Sequence, residues 1–549
     1  MAMITGNELV AESLKRIGVK DFFFIMGGPI NDTLTNTMAK GIRGIDVRHE
    51  QAAAMSAHAY ARVTNIPGLC MAASGPGTVN LTTGLANALI DCSPIVAFGG
   101  SSPINEYLTG AFQEIDQVAL MKPVTKWANR IYDTHRIPEM IDLAFRQAIS
   151  GKPGPVYLDL PSDVINNKIE EDLVRWPDLS KTLIKHRPQA DPRLIEEAIQ
   201  LLAVAKKPVV LSGSGVLWSD AAPELHQWVT TMGMPIYTTP QGRGVLPEDH
   251  PHAFLNARST ALKEADLLII VGTRLNYVFG QISPPRVSNT AKVIRIDIDP
   301  AEISSNTRVN LGIVGDAKLV LQQLLAAAQT RIQSNQFIEW RDRLSTIDRS
   351  KKAESEQALS NQQIPVHPLR LCKEIRDFLD RDAILVVDGQ EILNYGRQSI
   401  PSFHPRHRLN SGTFGIMGVG MPFGVGAKAA RPDQQVLVLH GDGSFGLNAM
   451  ELDTAARHNL PIIVVISLNG GWTADPLREK PGRDLGYTRF DLFAESLGCH
   501  GELVEKPEDI RPALERAKIA IKNGKPALIN VVTDFAARAV TVRFTKTVT

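Results

Sequence analysis

At 549 residues the chain is longer than a single hydrophobic core supports, so we expect about three domains. Its formal net charge of +1 creates no field that would attract nucleic acid or an anionic membrane, so the expected partners are small molecules or further copies of the chain. The four cysteines have no metal-ligand spacing, and no apolar run reaches the roughly 18 residues of a membrane span, which together predict a cytoplasmic protein.

Short apolar runs alternate with amphipathic helical stretches, which is typical of α/β units on parallel sheets. The predicted strands of residues 1–170 are DFFFIMG, GLCMAAS, SPIVAFGG and GPVYLDL, and those of residues 190–330 are KPVVLSG, MPIYTT, DLLIIVG and KVIRIDID. Residues 331–365 form a polar linker predicted to begin as a helix, and residues 366–549 contribute DAILVVDG, QVLVLHGDG, LPIIVVISLNGG and PALINVVTD. We therefore predict three domains, each with a mainly parallel sheet flanked by helices.

A candidate metal site follows two of the predicted strands. Asp442 stands between Gly441 and Gly443 directly after the strand QVLVLH, and Asn469 follows the next strand 27 residues later. Gly-Asp-Gly is also ordinary turn chemistry, which is the alternative explanation. In a parallel βαβ unit, however, both side chains would emerge at the carboxyl edge of the sheet, where ligands bind. Carboxylate and amide oxygens suit Mg²⁺, and the glycines let backbone amides approach a phosphate.

This arrangement resembles the thiamine diphosphate signature, which starts with Gly-Asp-Gly and ends in asparagine. The resemblance implies that Asp442, Asn469 and the backbone carbonyl of Gly471 bind a Mg²⁺ ion that holds the diphosphate. The usual ending is a double asparagine, whereas this chain has Leu468 before Asn469. The difference leaves the ligand residue itself in place.

A glutamate at the start of an alanine-rich helix is the candidate catalytic acid. In DVRHEQAAAMSAHAYARV, Glu50 follows a strand-like run and opens the predicted helix. Such a glutamate commonly interacts with the helix dipole, which is the alternative role. Thiamine diphosphate enzymes carry their catalytic glutamate in a similar setting, which implies that Glu50 hydrogen-bonds the aminopyrimidine of the cofactor. His49 either faces the substrate or caps the helix.

The glycine-rich run SGTFGIMGVGMPFG supplies a bulky apolar residue, Met417, two residues after Gly415. The same spacing in the family implies that Met417 bends the cofactor and that the Gly415 carbonyl accepts a hydrogen bond from it, although methionine more often fills a core. VVDGQEILNYG is the predicted loop on the diphosphate side. The predicted cofactor contacts are Glu50, Gly389, Gln390, Glu391, Gly415, Met417, Gly441, Asp442, Gly443, Ser444, Asn469 and Trp472.

Two local motifs indicate the branch of the family. GAFQEID, with Gln113 as a candidate for substrate proton transfer, is similar to acetolactate synthases and to 2-hydroxyacyl-CoA lyases. HPRHRLNSGTFGIMGVGMPFG more closely resembles 2-hydroxyacyl-CoA lyases and oxalyl-CoA decarboxylases. Trp472, Asp475 and Tyr487 replace the tyrosine-rich sequence of the decarboxylases, which argues against oxalyl-CoA as the main substrate.

Candidate coenzyme A and nucleotide contacts are arginines and one aspartate. Arg397, Arg406 and Arg408 precede the predicted cofactor wedge, and arginine recognises phosphate through paired hydrogen bonds. A solvated basic turn or subunit contacts are the alternatives, and Arg397 is the first choice. Arg274 and Asp297 follow strands of the middle block and could hold a nucleotide, for which the family resemblance suggests ADP rather than FAD; strand-end turns are their alternative role.

We therefore expect a thiamine diphosphate- and Mg²⁺-dependent lyase that cleaves a 2-hydroxyacyl-CoA to an aldehyde or ketone plus formyl-CoA. The alternatives are an acetolactate synthase-like carboligase, an oxalyl-CoA decarboxylase, and a non-catalytic nucleotide-binding protein on the same fold. Glu50 and the expected metal ligands lie in different domains, and sites of the resembled family form between two chains, so the resemblance implies a homo-oligomer, at least a dimer and by family precedent a tetramer. The tail FAARAVTVRFTKTVT either closes over the site, with Arg538, Arg543 and Lys546 contacting coenzyme A, or frays.

Overall fold

The chain folds into three parallel sheets covered by helices, which confirms the predicted α/β class. A computed structural model describes residues 2–305, 308–329, 331–333, 335–472, 479 and 481–539. The sheets have six, five and six strands, and every pairing within them is parallel.

The first sheet has the strand order β3-β2-β4-β5-β7-β6, and a separate antiparallel pair, β1 with β8, closes this part of the chain at about residue 170. The strands of this first domain, those of the separate pair included, are β1 (Met3–Thr5), β2 (Asp21–Phe24), β3 (Arg43–Asp46), β4 (Gly68–Ala72), β5 (Ile95–Ser101), β6 (Trp127–Arg130), β7 (Val156–Pro161) and β8 (Lys168–Glu170). Its helices are α1 (Gly6–Ile17), α2 (Asn31–Ala39), α3 (Glu50–Thr64), α4 (Pro76–Asn80), α5 (Thr82–Ile90), α6 (Gln117–Met121), α7 (Ile137–Ile149) and α8 (Ser162–Asn166).

The central sheet has the order β10-β9-β11-β12-β13. Its strands are β9 (Pro208–Ser212), β10 (Ile236–Thr238), β11 (Leu267–Val271), β12 (Lys292–Asp297) and β13 (Leu311–Val314). Its helices are α9 (Pro192–Val204), α10 (Ser214–Trp218), α11 (Ala222–Met232), α12 (Arg258–Glu264), α13 (Pro300–Ile303) and α14 (Ala317–Ala328). Most of the segment predicted as a linker is a further helix, α15 (Ile338–Leu359), and its Trp340 and Leu344 pack into the core beside the central sheet.

The third sheet has the order β15-β14-β16-β17-β19-β18. Its strands are β14 (Ile384–Asp388), β15 (Arg408–Leu409), β16 (Val436–Gly441), β17 (Ile463–Leu468), β18 (His500–Val504) and β19 (Ala527–Val532). Its helices are α16 (Pro368–Phe378), α17 (Glu391–Ser399), α18 (Gly420–Ala430), α19 (Asp442–Leu447), α20 (Glu451–Arg457), α21 (Phe490–Ser496) and α22 (Ile510–Lys522).

Alternating strand residues fill both faces of this sheet. Val436 and Val438 of β16 belong to one core cluster, whereas Leu437 and Leu439 belong to the cluster on the opposite face. A strand buried on both faces needs apolar residues at successive positions, and the run VLVL provides them. Helices therefore cover both faces of this strand.

Helices α3 and α18 pack directly against each other and join the first and third domains. Both belong to one continuous core cluster. Small residues allow this close approach, because a β-carbon at Gly426 would lie 2.1 Å from the carbonyl oxygen of Ser56. The contact fixes the start of α3, with Glu50, relative to the third sheet.

Among the described residues, none of the helices combines the length and the apolar character that crossing a bilayer requires.

Candidate active site

The two predicted metal ligands follow neighbouring strands. β16 and β17 are parallel and adjacent, with Gly441 paired to Ser467. Asp442 and Asn469 come directly after these strands, at the same edge of the sheet. The βαβ placement expected from the sequence is thereby confirmed.

The side chain of Asp442 is held at the turn that carries Asn469. Its Oδ1 accepts a hydrogen bond from the backbone N–H of Gly443 at 2.8 Å, and its Oδ2 accepts one from Gly470 at 2.7 Å. The Oδ1 of Asn469 accepts from the N–H of Gly471 at 3.2 Å. Burial raises the pKa of Asp442 to about 6, so a cation at this carboxylate would lower the cost of its charge.

The donor set at this turn fits a hard cation. It consists of one carboxylate, one amide oxygen and the backbone carbonyl of Gly471, which is the oxygen chemistry that Mg²⁺ prefers. Among the described residues, no three His, Cys, Asp or Glu side chains are grouped so as to hold a metal ion, which leaves this mixed set as the candidate.

Glycines keep the backbone open around the same edge. Gly389 has a φ of 115°, and a β-carbon there would lie 3.1 Å from the backbone nitrogen of Gly441. A β-carbon at Gly443 would lie 2.6 Å from the ring of Trp472. The backbones at Gly389 and Gly441 therefore approach each other closely, which suits the binding of a diphosphate group by their amides.

Asp388 ties two of the predicted cofactor loops together and was missed by the sequence reasoning. Its Oδ1 accepts from the N–H of Gly389 at 2.7 Å, and its Oδ2 accepts from Gly420 at 2.9 Å. Burial raises its pKa to about 6. The available signal was an aspartate that ends an apolar strand directly before a glycine.

Two predicted cofactor contacts have their side chains engaged elsewhere. The hydroxyl of Ser444 donates to the carbonyl of Gly441 at 3.0 Å and lies 3.1 Å from Nδ1 of His440. The carboxylate of Glu391 accepts from the backbone N–H of Ala539 at 2.8 Å and so anchors the chain near its C-terminus. These contacts occupy the hydroxyl of Ser444 and one carboxylate oxygen of Glu391 within the protein.

A large cavity begins at this edge of the third sheet. Its volume is about 840 Å³, and it is lined by residues of all three domains. Gly389, Gln390, Gly415 and Met417 line its end in the third domain. Gly415 has a φ of 73° with nothing within 4 Å of the position of a β-carbon, and Met417 is 36% exposed. The predicted wedge therefore faces open space rather than filling the core.

Glu50 opens α3 and is half-buried. Its Oε2 accepts a hydrogen bond from the side-chain amide of Asn80 at 2.9 Å. His49 is exposed and caps the helix, because its Nδ1 accepts from the N–H of Gln51 at 3.1 Å. Of the two roles weighed for His49, the structure supports the cap.

Gln113 lies in a turn of the first domain. Its φ is 60°, and its carbonyl accepts from the hydroxyl of Ser74 at 3.4 Å. It borders a small pocket apart from the large cavity. The structure therefore does not bring Gln113 to the large cavity.

Most cations of the large cavity lie beside carboxylates. Lys152 and Arg274 both pair with Glu302, and Arg187 pairs with Asp316 at 3.1 Å. Asp297, the other predicted nucleotide contact, also lines the cavity, and burial raises its pKa to about 6. Arg274 and Asp297 therefore lie together in the central-domain part of the cavity, as a shared ligand would require.

Arg258 and Arg397 differ from these cations. Both line the cavity, and neither forms an ion pair with a carboxylate of the described residues. Burial, and then repulsion from Arg397, lower the pKa of Arg258 to about 10. Two half-buried guanidinium groups without an acidic partner form a site for an anion. The sequence reasoning missed Arg258 because NARSTALKE reads as an ordinary helix start.

The other two predicted phosphate contacts serve the fold. Arg406 pairs with Asp220 at 2.7 Å. Arg408 is buried, and its guanidinium donates to the carbonyls of Gly396 at 2.9 Å and Ile400 at 3.3 Å. Neither lines the cavity, so of the three predicted arginines only Arg397 remains a candidate ligand contact.

The remaining predicted residues lie at the border of the described chain. The ring of Trp472 packs over Gly443, and the backbone N–H of Trp472 donates to the carbonyl of Arg483 at 2.8 Å. Arg538 donates to the carbonyl of Ala537 at 2.7 Å. Asp475, Arg543 and Lys546 lie outside the described residues.

Three family models match the chain, one for each domain. Residues 4–120 match the thiamine pyrophosphate enzyme N-terminal TPP binding domain, residues 195–324 the central domain, and residues 393–531 the C-terminal TPP binding domain.

Several curated proteins are similar to the chain over nearly its whole length. A probable acetolactate synthase of Mycobacterium bovis is 34% identical and covers 96% of each chain. Human 2-hydroxyacyl-CoA lyase 1 is 31% identical over 97% of this chain and 95% of its own. The oxalyl-CoA decarboxylase of Escherichia coli K12 is 32% identical over 100% of this chain and 98% of its own. The chain therefore belongs to the thiamine pyrophosphate enzyme family.

Proposed function

We propose that the chain is a thiamine diphosphate- and Mg²⁺-dependent lyase that cleaves a 2-hydroxyacyl-CoA, reversibly, to an aldehyde or ketone plus formyl-CoA. The bond that breaks joins the thioester carbon to the hydroxyl-bearing carbon. The hydroxyl loses its proton as the latter becomes the product carbonyl. The electron pair stays with the thioester carbon, which is protonated to give formyl-CoA.

The observation that carries this proposal is the pair of arginines without carboxylate partners. Arg258 and Arg397 line the same cavity as Gly415 and Met417, the residues expected beside the reactive end of the cofactor. A substrate that carries phosphates would neutralise both guanidinium groups, and coenzyme A carries them at a distance from its reacting thioester. A small 2-oxo acid carries a single negative charge and would neutralise at most one guanidinium of the pair.

The metal-binding residues of this proposal are Asp442, Asn469 and the carbonyl of Gly471. Their side-chain and backbone oxygens would hold Mg²⁺, and the amides near Gly389 and Gly443 would hold the diphosphate. When bound, thiamine diphosphate supplies a carbon nucleophile that also accepts the electron pair of the broken bond.

Glu50 would hydrogen-bond the aminopyrimidine of the cofactor and hold a proton there. Met417 would support the bent cofactor, and the Gly415 carbonyl would accept from its amino group. His49 caps the helix through Nδ1, which leaves Nε2 of its exposed ring to exchange a proton with the substrate.

The central-domain part of the cavity is proposed as a nucleotide site, with ADP preferred to FAD. Arg274 would contact phosphate, and Asp297 would accept from ribose hydroxyls. The family resemblance further supports a homo-oligomer, a dimer at least. Light scattering on the purified protein tests the assembly, and the absorption spectrum distinguishes a bound flavin from ADP.

The test of the reaction is a product screen. Protein loaded with thiamine diphosphate and Mg²⁺ is incubated with 2-hydroxyacyl-CoA thioesters of different chain length and branching, with oxalyl-CoA, and with pyruvate. Formyl-CoA together with the matching aldehyde or ketone is the expected result. Formyl-CoA with carbon dioxide from oxalyl-CoA alone would indicate a decarboxylase, and acetolactate from pyruvate alone would indicate a carboligase; either outcome would overturn the proposal.

A further inference from the structure

The connection between β3 and α3, which leads to Glu50, forms hydrogen bonds and ion pairs with the crossover that begins at Asp442. That crossover runs from β16 through α19 and α20 to β17. Side chains of α20 and the residues next to it reach residues 46–51, between β3 and the first turn of α3. The first and third domains therefore meet at the turn that places Glu50.

Glu451, at the start of α20, is the buried centre of this contact. It is 1% exposed, and its Oε1 accepts a hydrogen bond from the backbone N–H of Arg48 at 3.0 Å. Its Oε2 accepts from the hydroxyl of Thr454 at 2.7 Å. The N–H of Arg48 precedes the helix and has no place in its hydrogen-bond ladder, so Glu451 satisfies a donor that the local fold cannot.

Charged residues near Glu451 form ion pairs with the same connection closer to the surface. Asp453 pairs with the side chain of Arg48 at 3.2 Å, and Arg457 and His458 both contact Asp46. These pairs are partly exposed, and such pairs contribute little each. The buried hydrogen bond from the N–H of Arg48 to Glu451 is therefore the contact that fixes the position of the backbone before α3.

A second bridge connects the same turn to the cofactor wedge. The side-chain amide of Gln51 donates to Oδ1 of Asn448 at 2.8 Å. Asn448 in turn donates to the carbonyl of Gly418 at 2.7 Å, the residue after Met417. Glu50 is thus flanked by one contact at Arg48 and one at Gln51, both made by the metal-bearing crossover.

We propose that Glu451 is a positioning residue for Glu50: its carboxylate holds the backbone at Arg48 and so sets where the Glu50 carboxyl lies at the start of α3. The inference rests on the proposed role of Glu50 in the thiamine diphosphate site. Displacing a catalytic group by about 1 Å can lower a rate about a hundredfold, so a contact this close to Glu50 affects turnover without touching substrate.

The test compares Glu451→Ala and Glu451→Gln with the unmodified full-length protein loaded with thiamine diphosphate and Mg²⁺. Glu374→Ala is the matched control, because Glu374 is also a buried acid of the third domain but pairs only with Arg370 of its own helix among the described residues. The first readout is hydrogen–deuterium exchange of peptides that cover residues 46–51, which does not depend on the substrate.

Glu451→Ala is expected to speed exchange in residues 46–51 by at least about tenfold, because the N–H of Arg48 loses its acceptor. It should lower kcat at least about tenfold and leave KM within about twofold. Glu451→Gln keeps an acceptor oxygen and should restore most of both values, and the control should change neither. If Glu451→Ala does not fold, Glu451→Asp, which withdraws the carboxylate by one methylene, replaces it.

Unchanged exchange in residues 46–51, an unchanged kcat in a folded Glu451→Ala protein, or a loss in Glu451→Gln as large as in Glu451→Ala would overturn the proposal. Calorimetric binding of thiamine diphosphate separates this failure from failure of the proposed function. A protein that binds the cofactor, shows the exchange effect and turns over a different substrate refutes only the assigned reaction.

Discussion

Removing Arg397 should weaken binding of coenzyme A without destabilising the free protein. A hydrogen bond between charged groups contributes about 1.5–3 kcal/mol, which corresponds to roughly tenfold to 150-fold in affinity. In the free protein the guanidinium of Arg397 instead repels that of Arg258. The fall of the Arg258 pKa to about 10 corresponds to about 3 kcal/mol against its charged form, with burial the larger cause and Arg397 the next. The Arg397→Ala substitution should relieve part of this cost.

The assay is calorimetric titration with coenzyme A, together with urea unfolding of the unliganded protein. Arg397→Ala and Arg258→Ala should each lower affinity at least about tenfold. The free energy of unfolding should stay equal or rise in Arg397→Ala, whereas Arg258→Ala also loses the contact of its guanidinium with the ring of Phe279, 4.8 Å away. Arg406→Ala is the matched control, because Arg406 pairs with Asp220 outside the cavity and should lose stability but not affinity. If Arg397→Ala destabilises the protein and leaves affinity unchanged, the arginine is a structural contact and the argument for an anion site fails.

Three further results are expected. Asp442→Asn should weaken Mg²⁺-dependent binding of thiamine diphosphate at least about a hundredfold, because the carboxylate is the only charged ligand proposed; cofactor titration at varied Mg²⁺ measures it, and unchanged binding would contradict the assignment. Gly426→Ala should cost about 1–3 kcal/mol in urea unfolding, since its β-carbon would lie 2.1 Å from the Ser56 carbonyl, whereas Gly446→Ala, where nothing lies within 4 Å, should be nearly neutral. Burial raises the pKa of the Asp91 carboxyl to about 7. Between about pH 4 and 7 this carboxyl is therefore ionised in the unfolded state and protonated in the folded state, so the free energy of unfolding should fall as pH rises through this range. Asp91→Asn should flatten this pH dependence in thermal unfolding, and an unchanged dependence would show that another group causes it.

The sheets were predictable where their strands are buried on both faces. Runs such as VLVL in β16 and IVVI in β17 are apolar at every position because helices cover both sides. The edge strands β6, β13, β15 and β18 were not predicted as strands. WANR and HGELV, for example, carry polar residues that an edge position tolerates, and neither sequence shows a period.

The candidate site divides in the same way. The placement of Asp442 and Asn469 follows from strand adjacency, which a short βαβ crossover dictates. The direction of an arginine side chain does not follow from its neighbours in sequence. The Arg408 side chain points into the protein, where its guanidinium donates hydrogen bonds to the carbonyls of Gly396 and Ile400. Arg258 faces the cavity because α12 packs against the central sheet. Such contacts are made between distant segments, so only the folded chain reveals them.

The shared cavity has a consequence for the behaviour of the whole molecule. The cavity is lined by Asp91 of the first domain, Arg274 of the second and Met417 of the third, so a molecule that fills it contacts every domain at once. A bound ligand then stabilises the arrangement of the three domains. The melting temperature should rise with the logarithm of ligand concentration once the cavity is saturated. A short molecule confined to one end would stiffen only the walls it reaches, whereas one that spans the full length would make the three domains melt as one.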